Sequence, residues 1–137
     1  HAAEFVRMVG LEDYADLTPA ELSTGMKQRL GLARVLAGQA ELLLMDEPFA
    51  SLDFLTRAEL QSQLLAIQSK MPRTIVLVTH QLEEALVLGS RIIVMHPDST
   101  LSHFDLTGLP YPRDLNAPAL RQLKDAVTDQ CRQPSAQ

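Results

Sequence analysis

The chain has 137 residues, of which 46% are hydrophobic and 21% are charged, as is typical of a globular domain. Twelve basic and seventeen acidic residues leave a formal net charge of -5, which argues against a protein that binds nucleic acid through a basic surface. The single cysteine, Cys131, excludes an internal disulfide and a cysteine-rich zinc site. No apolar stretch approaches the ~20 residues that span a bilayer. We therefore expect one domain, or a piece of one, with an aliphatic core.

Apolar spacing predicts two helices in the first third of the chain. The first covers residues 2–9 and ends near Gly10, and a mixed segment broken by Pro19 follows. The second helix begins near Met26 and ends at Gly38. Its apolar face consists of Met26, Leu30, Ala33 and Ala37.

Three short apolar runs predict strands, and helical spacing separates them. The strands cover residues 42–45, 74–78 and 91–95, and the first two are expected to be buried on both faces. Between them lie a helix whose apolar face begins at Leu60 and continues with Leu64, Ile67 and Met71 before Pro72 ends it, and a helix over residues 81–88. An antiparallel strand over 100–104, an irregular stretch over 109–118, a helix over 119–130 and a frayed end complete the prediction. This alternation indicates an α/β fold with a parallel sheet, in which chemistry gathers at the carboxyl ends of the strands.

The first strand ends in Asp46 and Glu47, directly before Pro48. Adjacent carboxylates beside a buried strand are costly unless something compensates them. Asp46 would hold a magnesium ion, and Glu47 would deprotonate a water molecule that attacks a γ-phosphate. The alternative is a pair of solvated carboxylates that open a loop.

The second strand ends in Thr79 and His80. Neighbouring strand ends lie ~5 Å apart, so His80 can share the site of the two carboxylates and bind a phosphate oxygen or the attacking water. A purely structural histidine remains the alternative.

The segment Leu22-Ser23-Thr24-Gly25-Met26 begins the second helix. Ser23 or Thr24 can cap this helix, whose N-terminus attracts anions, and Gly25 allows close approach of backbone. A capped helix without a ligand is the alternative interpretation.

Taken together, these segments resemble the motifs of ABC-type ATPases. Residues 22–30 resemble the signature motif, residues 42–48 the Walker B strand with its catalytic glutamate, Ser51-Leu52-Asp53 the D-loop, and residues 78–80 the switch-histidine strand. Thr24 stands where the family has a second glycine, and Met26 where it commonly has glutamine. The Gly-Met-Lys-Gln-Arg stretch and Pro112-Arg113-Asp114 are most similar to importers of the nitrate, sulfonate and taurine type.

The resemblance implies a P-loop NTPase-like three-layer fold that is incomplete, because the family places a P-loop ahead of the signature. None of the six glycines is followed by lysine, so no P-loop is present, and the chain opens on His1 instead of Met. We expect residues 1–108 to be the C-terminal part of the ATP-binding domain. Within it, 1–24 end the helical subdomain, 22–30 form the signature, 42–53 form Walker B and the D-loop, and 74–80 form the switch strand. Residues 109–137 would be an extension with one helix.

The resemblance also implies a function, with ATP and Mg²⁺ as cofactors. Glu47 and His80 would be catalytic and Asp46 would bind the metal. The nucleotide would be contacted by Ser23, Thr24, Gly25, Gln28 and Asp53, those of the signature reaching ATP held by a second copy. The parent protein would drive solute import at the cytoplasmic face of the inner membrane. Its partners would be a second ATP-binding domain, a membrane permease and, indirectly, a periplasmic solute-binding protein, with no nucleic acid.

Two other functions remain open. The chain without a P-loop is expected to be inactive alone, and one alternative is a non-catalytic module that donates a signature helix to a partner's ATP. A DNA-repair or chromosome-structural ATPase shares the same motifs, but its signature follows a long coiled coil and no heptads precede Leu22. Without a P-loop strand beside it, residues 74–78 form an apolar sheet edge, which predicts poor solubility or self-association.

Overall fold

The computed structural model describes residues 2–38 and 40–132, which form two compact units. One unit extends up to Val78 and the other begins at Thr79. Among the described residues, no helix has the length and apolar character to cross a membrane.

The first unit alternates helices and strands as the sequence predicts. Its elements are α1 (Ala2–Met8), a 3-10 helix (Glu12–Tyr14), α2 (Thr24–Ala37), β1 (Leu42–Asp46), α3 (Phe54–Lys70) and β2 (Thr74–Val78). Helix α1 ends in a Schellman turn at Gly10, which has a φ of 64°, a conformation that costs glycine little. There the Gly10 amide donates to the carbonyl of Arg7 and the Leu11 amide to that of Val6.

Strands β1 and β2 form a parallel pair in which Leu42 lies opposite Thr74 and Asp46 opposite Val78. Leu43 and Met45 are buried on one face of the sheet. On the other face Leu44 is 70% exposed and Val76 is 48% exposed. The prediction that both strands are buried on both faces is therefore wrong, because only one face of this pair is covered by the described residues.

The second unit contains α4 (Leu82–Leu88), β3 (Arg91–Met95), β4 (Leu101–Asp105) and α5 (Pro118–Arg132). Strands β3 and β4 form an antiparallel hairpin with Ile93 opposite His103, which confirms the expected partner of the third strand. Within the described chain β3 pairs with β4 alone, so the parallel sheet has two strands and does not include the third. The expected frayed end beyond Arg132 lies outside the described residues. The core of this unit consists of Leu86, Ile92, Leu106, Leu120 and Val127.

Arg113 holds the irregular segment before α5 against the rest of the second unit. Its side chain is only 9% exposed, and its guanidinium donates to the carbonyls of Leu86 at 2.8 Å and Leu106 at 3.1 Å and to that of Gly89. The guanidinium also lies 4.1 Å from the ring centre of Tyr111, a cation–π contact. The Pro-Arg-Asp segment therefore has a structural role in this unit.

Candidate functional site

Ser23 caps helix α2, as the sequence predicts. Its hydroxyl accepts a hydrogen bond from the Met26 amide at 3.3 Å, and its backbone is extended. Thr24 is the first residue of the helix, and its side chain is exposed to solvent. The predicted signature segment therefore begins a regular, capped helix of 14 residues.

Gly25 lies in the first turn of α2 and faces the loop that follows β1. A Cβ atom placed on Gly25 would have the Ser51 carbonyl oxygen as its nearest neighbour, at 3.8 Å, which is an ordinary van der Waals distance. Packing within this chain therefore leaves room for a methyl group at position 25. The backbone of Gly25 also has no positive φ that would demand glycine.

The two carboxylates predicted as catalytic and metal-binding lie at the carboxyl end of β1, in the segment 46–51, here called the acid turn. Glu47 is half-buried and has a φ of 47°, a left-handed conformation that is uncommon outside glycine. The Glu47 amide donates to the Val78 carbonyl at 2.9 Å, and the Ala50 amide donates to the Glu47 carbonyl at 3.2 Å. Pro48, at the second position of this tight turn, suits the fixed φ that the turn requires.

Gln28 connects α2 to the acid turn through both ends of its amide. Its Nε2 donates to the Glu47 carbonyl at 3.4 Å, and its Oε1 accepts from the Ser51 amide at 3.2 Å. The Ser51 hydroxyl donates to the same Oε1. The amide of Gln28 is therefore used to join two segments of the protein.

Asp46 ends β1 on the exposed face of the sheet, and its side chain is exposed. In the part of the chain that the structure describes, no three His, Cys, Asp or Glu side chains cluster so that they could hold a metal ion by themselves. Mg²⁺ characteristically binds one or two carboxylates and takes its remaining ligands from phosphates and water. One exposed carboxylate therefore fits a magnesium ion that arrives with a nucleotide.

Asp53 caps helix α3. Its carboxylate accepts a hydrogen bond from the Thr56 amide at 3.0 Å. Hydrogen bonds from the side chain and the amide of Thr56 lower the pKa of Asp53, because they favour its charged form. Six residues of α3 before Leu60 escaped the sequence prediction, since Phe54 and Leu55 are exposed and break the apolar spacing.

His80 belongs to the second unit, where it is exposed in the turn that leads into α4. The turn is fixed by Thr79, whose hydroxyl donates to the Glu84 carboxylate at 2.8 Å and accepts from the Gln81 amide at 3.0 Å. Glu84 is only 3% exposed and lies in the first turn of α4. Its carboxylate accepts the hydrogen bond from Thr79 that fixes this turn. That His80 shares a site with Glu47 stays a prediction.

Within the first unit the structure thus brings together Gly25, Gln28 and Glu47, which the sequence selected from two separate segments. Asp53 follows the acid turn at the start of α3. The sequence pattern does not indicate the contacts that Ser51, Thr79 and Glu84 make. A threonine or serine just before a helix start is a signal of such turns, because its hydroxyl can accept from a nearby amide.

Comparisons with known proteins agree on one family. A family model described as ABC transporter matches residues 1–50. The chain is 47% identical over 107 residues to a taurine import ATP-binding protein of Rhizobium johnstonii, an alignment covering 77% of this chain and 41% of that protein. It is 48% identical over 110 residues to a glycine betaine/carnitine transport ATP-binding protein of Listeria monocytogenes, covering 80% of this chain and 27% of that protein.

Solved structures show the same fold. A bacterial Atm1-family ABC exporter with ATP bound superimposes with a TM-score of 0.66 at 22% identity, covering 99% of this chain and 24% of the exporter chain. The chain spans less than half the length of the curated relatives described above. The motifs, the sequence matches and the fold agree that this chain is similar to ABC transporter ATP-binding domains, and its relatives by sequence include proteins named as importer ATP-binding subunits.

Proposed function

We propose that this chain is the C-terminal portion of the ATP-binding subunit of an importer, and that the whole subunit couples ATP hydrolysis to solute uptake. The observation that carries the proposal is the contact between two motif segments that lie far apart in sequence. Gly25 and Gln28 of α2 meet the acid turn that contains Glu47. An association of this kind is expected if the signature helix, which would reach a nucleotide held by a second domain, is coupled to the acid turn, which would serve the nucleotide of its own domain.

Glu47 is the proposed general base, and Asp46 the proposed ligand of Mg²⁺. The position of Glu47 supports this role, because it directly follows the carboxyl end of β1, where chemistry gathers in folds with parallel strands. Bound Mg²⁺ would neutralise charge on the β- and γ-phosphates during transfer. His80 is proposed to hydrogen-bond the γ-phosphate or the attacking water, since its imidazole is exposed two residues beyond the end of β2.

Ser23, Thr24 and Gly25 are proposed to meet the phosphates of a nucleotide held by a second ATP-binding domain. The room beside Gly25 supports this assignment, because packing within the chain does not explain the glycine. Gln28 and Asp53 are proposed to contribute to the same nucleotide site. Gln28 supports the acid turn, and Asp53 fixes the start of α3.

The domain boundaries are part of the proposal. Residues 1–108 would complete the ATP-binding domain, with 1–24 belonging to its helical subdomain, and residues 109–137 would form an extension built on α5. The partners would be a second ATP-binding domain and a membrane permease at the cytoplasmic face of the inner membrane, with a periplasmic solute-binding protein acting through the permease.

The nitrate, sulfonate and taurine type is the proposed subtype. The relative from Rhizobium johnstonii, a taurine import protein by name, supports it. The equally similar glycine betaine/carnitine relative would instead place the solute among quaternary ammonium compounds. Uptake assays on the assembled transporter with taurine and with glycine betaine would decide between them.

The catalytic role is tested by Glu47→Gln in this chain, mixed with a partner polypeptide that carries a P-loop. Removing the base should lower ATP turnover by at least about a hundredfold, measured as phosphate release. Glu41→Gln, an exposed carboxylate just before β1, is the matched control and should leave turnover unchanged.

Equal turnover with Glu47→Gln and without it, in a mixture that hydrolyses ATP, would show that catalysis does not come from this chain. The chain would then act as a non-catalytic donor of a signature helix. The departure at Thr24 is the feature that favours this second function, because a side chain stands where the family's motif has a glycine.

A further inference from the structure

We propose that Gln28 is a positioning residue, which sets the backbone conformation of Glu47 and of Ser51 from the first turns of α2. The proposal rests on the catalytic role of Glu47 proposed above. Its basis is the pair of contacts that the Gln28 amide makes with the acid turn, one to the carbonyl of Glu47 and one to the amide and hydroxyl of Ser51.

The first step of the argument is the backbone of Glu47. A non-glycine residue with a φ of 47° is held in a sparsely populated conformation, which persists only where surrounding contacts fix it. Val78 holds the Glu47 amide, while Ala50 and Gln28 both donate to the Glu47 carbonyl. Of these three contacts, the one from Gln28 is made by a side chain, and it reaches the acid turn from α2.

The second step is the geometry of the Gln28 amide itself. A primary amide has two donor hydrogens and an acceptor oxygen, so one side chain can engage a carbonyl and an N–H group at the same time. Glu47 and Ser51 offer this complementary pair, four residues apart along the acid turn. Gln28 therefore spans the turn and links both of its ends to α2.

The consequence is a direct mechanical link between the helix that carries Ser23–Gly25 and the turn that carries Glu47. A displacement of α2 would pull on the Glu47 carbonyl and on the Ser51 backbone together. Ligand contact at the start of α2 would thereby influence the carboxylate orientation of Glu47 in the same polypeptide.

The experiment is hydrogen–deuterium exchange of segment 47–52 in the full 137-residue chain, read by mass spectrometry. Gln28→Met keeps the length of the side chain and removes both polar ends. We expect exchange in segment 47–52 to be roughly tenfold faster, the loss expected for one hydrogen bond. Gln61→Met, the same change at a half-buried position of α3, is the control and should leave this segment unchanged.

Gln28→Glu separates the two contacts. Its carboxylate oxygen can still accept from Ser51, but it repels the Glu47 carbonyl. We expect the Ser51 amide to remain protected, as in the unchanged chain, while Ala50, which relies on the Glu47 carbonyl, exchanges faster. If the Ser51 amide is protected in Gln28→Glu but not in Gln28→Met, while the Ala50 amide is unprotected in both, general destabilisation of the fold is excluded as the cause.

Unchanged exchange of segment 47–52 in Gln28→Met would overturn the proposal. If that variant does not fold, exchange of the Gln28 side-chain amide protons in the unchanged chain decides, since rapid exchange there would also overturn it. These readouts need no ATP. If Gln28 protects segment 47–52 from exchange while the Glu47→Gln variant keeps full ATP turnover, the catalytic role of Glu47 is refuted. The positioning of the acid turn by Gln28 would still hold.

Discussion

Gly25 lies in the first turn of a helix, although the packing around it leaves room for a larger residue. A glycine inside a helix is disfavoured relative to alanine, so its presence calls for a reason. Its φ is not positive, and a Cβ would meet the Ser51 carbonyl oxygen only at an ordinary distance. The reason is therefore sought outside the chain, in a ligand that approaches the helix backbone.

Gly25→Ala should accordingly fold at least as well as the unchanged chain while impairing the proposed nucleotide contact. We expect the free energy of unfolding to rise by up to about 1 kcal/mol, since alanine has the higher helix propensity. In the mixture with a P-loop-bearing partner, ATP turnover should fall several-fold. Urea denaturation followed by circular dichroism and a phosphate-release assay measure the two effects.

Gly31→Ala provides the control for that measurement. Gly31 lies in the same helix, and a Cβ there would meet nothing within 4 Å. The stabilisation should be similar and turnover should not change. Equal loss of turnover in both variants would contradict a specific role of Gly25.

The chemical identity of the site residues was accessible from sequence, whereas their backbone geometry was not. Asp46 and Glu47 follow an apolar strand, which is enough to select them. The left-handed φ of Glu47 depends on contacts from Val78 and Gln28, which lie 31 residues after it and 19 residues before it in the printed sequence. No local pattern encodes such contacts.

Arg113 shows how one side chain can order a segment that lacks regular structure. Residues 106–117 contain two prolines and form neither helix nor strand. The planar guanidinium offers several donors in a fixed fork, which matches the carbonyls it reaches on α4, after α4 and after β4. This arrangement connects those elements and adds to the apolar packing of Leu106, Leu109 and Leu115 from the segment itself.

Arg113→Lys should destabilise the second unit, although it conserves the charge. One ammonium group cannot replace the fork, and buried carbonyls would lose their donors. We expect a loss of about 2 kcal/mol in the free energy of unfolding, measured by urea denaturation. Arg121→Lys, an exposed position of α5, is the control, and an equal effect there would refute the clamp role of Arg113.

At the scale of the whole molecule, the order of helices and strands followed from the sequence, but the burial of the strands did not. An apolar run such as Leu42–Met45 predicts a strand that is buried on both faces. The spacing of apolar residues, however, does not indicate which element covers each face. Leu42, Leu44, Val76 and Val78 are all about half exposed or more. Strand β2 has no second neighbour within the described chain, which leaves an unpaired edge beside this apolar face.

This combination predicts that the isolated chain self-associates. Val76→Lys should reduce association, because a charge on an edge strand opposes pairing with another chain. Light scattering across a concentration series should show a lower mean mass for this variant than for the unchanged chain. Ser62→Lys on α3 adds the same charge to an exposed helical position and should not lower the mass. A monodisperse monomer of the unchanged chain would contradict the prediction.

The hydrogen bond from the Glu47 amide to the Val78 carbonyl makes the position of the acid turn depend on the length of strand β2. An insertion of one residue within β2 would turn its side chains to opposite faces and offer Glu47 a different carbonyl partner. Extra residues ahead of Thr74 would instead be absorbed by the loop at Pro72. The length of β2 is therefore expected to tolerate less change than the identity of its individual side chains.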